Sequence, residues 1–181
     1  MFKKFTEEEH VSSVSQVKNS VVRGIGTTLI EQYPMLESAL DQLIPKKSMT
    51  IAKCTDRIQI VLVNNEPFFF CERDGPWIPT LRLIHKYPTF IKRMKADKGA
   101  IPFILGGANI MAPGFTSKGG DIPFDLEEGD PVSIYVEGKD HAVAVGVMKM
   151  STKDMKEVNK GMAVENMHTV LDGLWLCKTI G

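Results

Sequence analysis

Between Phe103 and Gly120 the chain reads FILGGANIMAPGFTSKGG, with two adjacent glycines, a lone Asn109, the pair Pro113-Gly114 and one lysine, Lys118. These residue types suit a loop that holds a phosphate. A P-loop does so by converging backbone amides and a lysine on one point, which fixes the pattern GxxxxGK[ST]. Here Phe115 stands where the lysine belongs, and Lys118 follows Ser117 in the wrong order. The dinucleotide fingerprint fails too, because no GxGxxG opens a helix and no βαβ alternation surrounds the loop. A plain turn, or a surface that takes up something else, is left.

No other constellation of catalytic groups stands out. His10, His85, His141 and His168 are far apart and none has HxxxH spacing. Isolated histidines are mostly surface or core residues. The acidic run DIPFDLEEGD, Asp121 to Asp130, reads as a solvated turn ahead of a strand. Serine, histidine and aspartate all occur, but a triad is a geometry and not a composition. Cys54, Cys71 and Cys177 are scattered and never paired as CxxC, which argues against disulfides and zinc and for reduced thiols inside a cell. Neither cofactor nor metal is expected.

Two features bear on nucleic acid. Arg82, Lys86, Lys92, Arg93, Lys95 and Lys98 face only Asp97 across their interval, in a chain whose formal net charge is +0. A neutral total can hide opposed patches. The interval has two readings, a solvated linker and a phosphate-contacting patch. In HAVAVGVMKM, Ala144 and Gly146 share a face and leave a shallow strip for close backbone approach, with Lys149 at its end. Tight packing against a neighbouring element is the other reading of that strip. Aromatic-basic RNP motifs are absent.

Periodicity predicts the elements that hold these residues. Val14, Val17, Val21, Ile25 and Leu29 recur at steps of three and four, the seam of an amphipathic helix with Ser13 and Gln16 as its capping box. Leu36, Leu40, Leu43 and Ile44 suggest a second helix, stopped by Pro45. Ile58, Ile60 and Leu62 alternate, Asn64-Asn65 turns, and Phe68 to Phe70 returns as a hairpin. A short helix over Leu81 to His85 breaks before Tyr87-Pro88. The segment PTFIKRMKADKG, 88–99, has the punctuation of a domain boundary. Beyond it AIPFIL, VSIYV and HAVAVGVMKM predict strands, Ser151 caps a short helix ending at Gly161, and Asp172-Gly173 predicts a hairpin. With 181 residues, 43% of them hydrophobic, there is material for one or two packed domains. No apolar run nears the ~20 residues of a membrane span. MFKKFTEEEH lacks the apolar middle of a signal peptide, so a cytosolic location is expected.

KGAIPFILGGANIMAPGFTS, EEGDPVSIYVEG and HAVAVGVMKMS together resemble a PUA domain, whose marks are Gly129-Asp130 before an alternating strand and the GANxMxPG loop. MFKKF, PWIPTLRLIHKYPTF and VNKGMAVENMHTVLDGLW extend the resemblance over essentially the whole chain, to the malignant-T-cell-amplified-sequence family, whose fungal members are translation machinery-associated proteins. The resemblance implies an α+β fold: an N-terminal mixed α/β domain over residues 1–91, then a PUA domain, a small mixed β-barrel with short helices, over residues 92–181. It also implies a non-catalytic RNA-binding translation factor. Such a factor pairs with density-regulated protein on the small ribosomal subunit, in release of deacylated tRNA, subunit recycling and re-initiation.

Carried over by residue, the RNA cleft is Gly106, Gly107, Ala108, Asn109, Met111, Pro113 and Gly114, beside an edge strand ending at Lys149; Lys118 and Lys153 join on charge alone. Tightly placed backbone amides and lysines would hold tRNA or rRNA there. The N-terminal domain would carry partner and ribosome contacts, with Phe68, Phe70 and Trp77 as candidate anchors and core packing as their other role. Two departures stand out. Ala112 replaces the cysteine expected in animal members, and the acidity from Asp121 to Glu128 is heavier than in the family, which would weaken phosphate contact on one side. The alternative is an RNA-modification enzyme or its PUA-type targeting subunit, against which the ~90 N-terminal residues show no catalytic motif and are short for an enzyme domain. A protein-only adaptor is the third reading.

Overall fold

The computed structural model describes residues 1–181. Its first half begins with a single helical turn, α1 (Glu7–His10), and a strand, β1 (Val11–Gln16), followed by α2 (Asn19–Gln32) and the one-turn α3 (Leu40–Leu43). Strands β2 (Met49–Cys54), β3 (Ile58–Val63), β4 (Glu66–Glu72) and β5 (Ile78–Pro79) complete an antiparallel sheet in sequence order, and α4 (Leu81–Lys86) follows, capped by the Thr80 side chain. Asn64 and Asn65 turn the β3–β4 hairpin with φ of 51° and 65°, the paired left-handed residues that match the twist of the flanking strands. Both faces of β4 are covered. Phe69 packs on Tyr33 and Phe90, while Phe70 meets Phe2 edge-on, with ring centres 4.9 Å apart, and His168 from the other half.

The expected helix from Val14 with a Ser13–Gln16 capping box is corrected. Residues 11–16 pair with β2 as an exposed edge strand, and α2 starts only after Lys18, which makes no side-chain cap. The helix buries Val22, Ile25 and Leu29, whereas Val14 and Val21 are exposed. Backbone ladder bonds to β2 outweigh a periodicity that Val14 and Val17 only extended.

The second half contains β6 (Arg93–Ala96), α5 (Ile101–Leu105), β7 (Ile110–Met111), α6 (Pro113–Thr116), β8 (Pro131–Val136), β9 (Ala144–Met148), α7 (Thr152–Val158), β10 (Met162–Thr169) and α8 (Gly173–Leu176). Its sheet runs β6-β8-β9-β10-β7, with β6 parallel to β8 and the other pairs antiparallel. The Asp97 amide donates to the Gly114 carbonyl at 2.9 Å, so the end of β6 meets α6 beside β7 and the sheet curls. Met94, Ile104, Phe115, Val132, Ile134, Met148 and Val164 fill its core.

Three expectations for this half are corrected, and the open reading of a fourth feature is decided. AIPFIL is helical rather than a strand, because Asp97 caps the preceding turn and Pro102 sits in the first turn of α5, where a missing N–H costs nothing. Asp172-Gly173 is a helix start: Asp172 accepts from the Trp175 and Thr169 amides and from His168, and Gly173 lies so close to the Phe2 and Phe5 backbone that no Cβ fits. The strand ending before Lys149 is not an edge, since β9 pairs with β8 and β10. The strip at Ala144 and Gly146 is packing, because a Cβ at Gly146 would collide with the Glu165 carbonyl on β10. Ser151 does cap α7, which ends at left-handed Asn159 (φ 49°) just before Gly161.

The interval 88–99 holds no loose linker. Phe90 and Ile91 are buried in the first core, Met94 and Ala96 in the second. The first core also takes in Ala142, Val145, Met167, Leu174 and Ile180 from the second half. Arg82 donates to the Trp175 carbonyl at 2.7 Å and lies over that ring, and the His85 ring donates to the Ala142 carbonyl at 2.7 Å. No helix is long and apolar enough to cross a membrane.

Candidate nucleic-acid interface

The glycine loop is the C-terminus of α5. Gly107 takes the left-handed conformation at φ 88°, its amide donates to the Ile104 carbonyl at 2.9 Å, and the Ala108 amide reaches back to Phe103 at 3.0 Å. This is a Schellman cap. The Gly106 amide is also used, on Pro102 at 3.1 Å. The three amides expected to grip a phosphate are therefore spent on the helix, which corrects the expectation of backbone amides as the anion grip. What the glycines provide is a bare surface: nothing lies within 4 Å of where a Gly107 Cβ would be.

Asn166 on β10 fixes the loop from below. Its side-chain amide donates to the Ile104 and Ala108 carbonyls, both at 3.1 Å, and its backbone amide donates to the Asn109 side chain at 3.0 Å. The Asn166 Oδ1 is buried with no hydrogen-bond donor, an arrangement that costs free energy unless a donor arrives.

All seven residues of the expected cleft are brought together, and the loop is a ridge between two depressions. On one side Ala108, Asn109, Met111, Pro113 and Gly114 line a mainly apolar groove of about 460 Å³, together with Phe103. Phe103 is 68% exposed and Met111 51%, so the groove presents an apolar surface to solvent. On the other side Gly107 and Asn109 face a cleft of about 910 Å³ between the two halves, whose far wall is Asp56, Arg57, Glu72 and Arg73. Gly106 and Gly107 also edge a crevice against Met1, Leu105 and Leu171.

Other candidates fall outside this ridge. Lys149 stands 3.5 Å from Glu165, both about half exposed, so its nearest anion is internal. Lys118 and Lys153 are exposed but line neither groove nor cleft. The six basic residues divide: Arg82 and Lys86 are engaged by other groups, while Lys92, Arg93, Lys95 and Lys98 stay exposed along and after β6 without an ion pair. Arg82 is held on Trp175, and Lys86 pairs with Glu66 at 2.9 Å. Lys92 donates to the Asp125 carbonyl, Arg93 lies over Phe124, and Lys95 bridges to Asp121, so the acidic segment runs alongside β6. Lys98 is exposed and its backbone amide donates to Glu137. Phe68, Phe70 and Trp77, offered as partner anchors, are core residues at 9%, 0% and 9% exposure. Ala112, the departure from the family pattern, is buried too and contributes no surface.

Sequence reasoning missed Phe103, Arg57, Arg73 and Asn166. For Phe103 a signal existed: Asp97 followed by Pro102 is a helix start, and the helix turns Phe103 outward. For the others there was none, because β3, β4 and β10 meet the loop only through tertiary packing.

The pre-PUA-like domain model matches residues 5–88 and the PUA domain model residues 92–170. The chain is 50% identical over 180 residues to malignant T-cell-amplified sequence 1-A of Xenopus laevis, covering 99% of each chain. It is 49% identical to human malignant T-cell-amplified sequence 2, again over 99% of each. Translation machinery-associated protein 20 of Schizosaccharomyces pombe is 47% identical over 181 residues, with 99% of each chain covered. Among solved structures, a hypothetical protein of Pyrococcus horikoshii superposes with TM-score 0.74 at 28% identity, over 92% of this chain and 99% of that one.

Proposed function

The chain belongs to the family of malignant T-cell-amplified sequence proteins and translation machinery-associated protein 20, and on that footing we propose that it is a non-catalytic RNA-binding translation factor of the small ribosomal subunit. Its expected work is release of deacylated tRNA, subunit recycling and re-initiation, together with density-regulated protein. Residues 92–181 carry the RNA contact and residues 1–91 the partner and ribosome contacts.

The observation that supports this reading is the ridge of Gly106 to Asn109 beside exposed Phe103 and Met111, in the half matched by the PUA model. Single-stranded or terminal nucleotides suit it better than a duplex, because unstacked bases can lie on an aromatic ring while the backbone crosses the bare glycines. The protein acts by positioning rather than by bond-making, and its partner supplies the coupling to the ribosome. Sedimentation of the protein with purified small ribosomal subunits, with and without density-regulated protein, tests the reading. Co-migration with the subunit is expected in at least one case, and absence of co-migration in both overturns it.

A further inference from the structure

The cleft between the halves adds to the ridge something the ridge lacks, a grip on phosphate. Arg57 and Arg73 sit side by side at the open end of the β3–β4 hairpin, where the Arg73 amide donates to the Arg57 carbonyl at 2.8 Å. Both are exposed, and both hold a left-handed backbone, φ 59° and 55°, a conformation that favours glycine or asparagine over arginine. Strain of this kind persists where a side chain is wanted for function.

Their electrostatic state is equally telling. Asp56, Glu72 and Glu165 line the same cleft, yet neither arginine forms an ion pair with any of them. Glu165 is taken up by Lys149 instead. The two arginines, whose guanidiniums are planar forks suited to phosphate oxygens, thus line the cleft together with Gly107 and Asn109 and are tied up in no ion pair.

We propose that Arg57 and Arg73 clamp consecutive phosphates of a single-stranded RNA that crosses the Gly106–Asn109 ridge and continues into the cleft between the two halves. The N-terminal half is then part of the RNA site and not only a platform for partners. This rests on the RNA reading above, which uses the groove side of the ridge alone.

Binding of a fluorescein-labelled 12-nucleotide single-stranded RNA, followed by anisotropy over a range of salt, tests it with the full chain. Each phosphate contact on a single strand contributes about −0.7 to the slope of log affinity against log salt. Arg57→Gly with Arg73→Gly keeps the left-handed backbone, relieves its strain and removes both contacts. That variant is expected to fold at least as stably, to bind about tenfold or more weakly at low salt, and to show a slope shallower by about 1.4. The double replacement R57K/R73K is expected to retain most of the slope. If the wild type binds and the glycine variant matches it in affinity and slope, the clamp is wrong while the ridge stands. If the wild type binds no RNA, both fall.

Discussion

Phe103 decides most at the scale of single residues. An aromatic ring 68% exposed adds little to folding, but one base stacked on it is worth about 1–3 kcal/mol by alanine substitution. Phe103→Ala should therefore weaken single-stranded RNA by about 5- to 150-fold in an anisotropy titration and leave the urea midpoint unchanged. An unaltered affinity would place the bases elsewhere. The glycines beside it act differently from the expectation they first raise. Gly106 and Gly107 close a helix and clear space, and their amides have no hydrogen left for an anion.

At the scale of elements, what could be read in the chain and what could not divides along local versus tertiary causes. The β3–β4 hairpin, α4, β8 and the Ser151 cap were legible because turn residues, alternation and capping side chains are local signals. The ridge stood out by residue type as a glycine-rich loop, and its RNA role came from the family resemblance alone. AIPFIL and Asp172-Gly173 misled because each short apolar run or turn pair fits two structures, and the choice is made by Asp97 capping in one case and by the Phe2–Phe5 backbone lying on Gly173 in the other. The strip at Ala144 and Gly146 allowed two readings, room for a foreign backbone or tight packing, and the second holds: the close backbone is β10. Gly146→Ala should thus lose about 1–3 kcal/mol of stability through overpacking, read as a lower midpoint in chemical denaturation. A variant as stable as the wild type would reopen that face as a binding surface.

Across the whole molecule, the two halves are one mechanical body. The larger core runs from α2 through the first sheet to Val145, Met167 and Leu174, so it is complete only with both halves present, while the smaller core lies within the second half. Denaturation should show one transition whether followed by fluorescence of Trp77 and Trp175 or by far-ultraviolet circular dichroism, and residues 92–181 expressed alone, with Val145, Met167 and Leu174 bared, should unfold at a lower urea midpoint than the full chain. Two separated transitions would contradict the shared core. His85 adds a pH dependence at the junction through its burial, against which its hydrogen bond to Ala142 works. Burial, above all, lowers the His85 pKa from its ordinary 6.5. The unfolded chain then binds the proton more readily, so this contribution is present above that value and is lost as pH falls through and below it. The urea midpoint should fall between pH 7.5 and 5.5, and His85→Gln should flatten that fall.

These scales meet in the claim that RNA lies on the ridge between groove and cleft. Photo-crosslinking of a 4-thiouridine-substituted single-stranded RNA to the full chain, with the attachment sites mapped by mass spectrometry, tests it most directly. Crosslinks are expected at Phe103, Asn109 and Met111. Crosslinks confined to other surfaces, such as α2 or α7, or none at all, would contradict it.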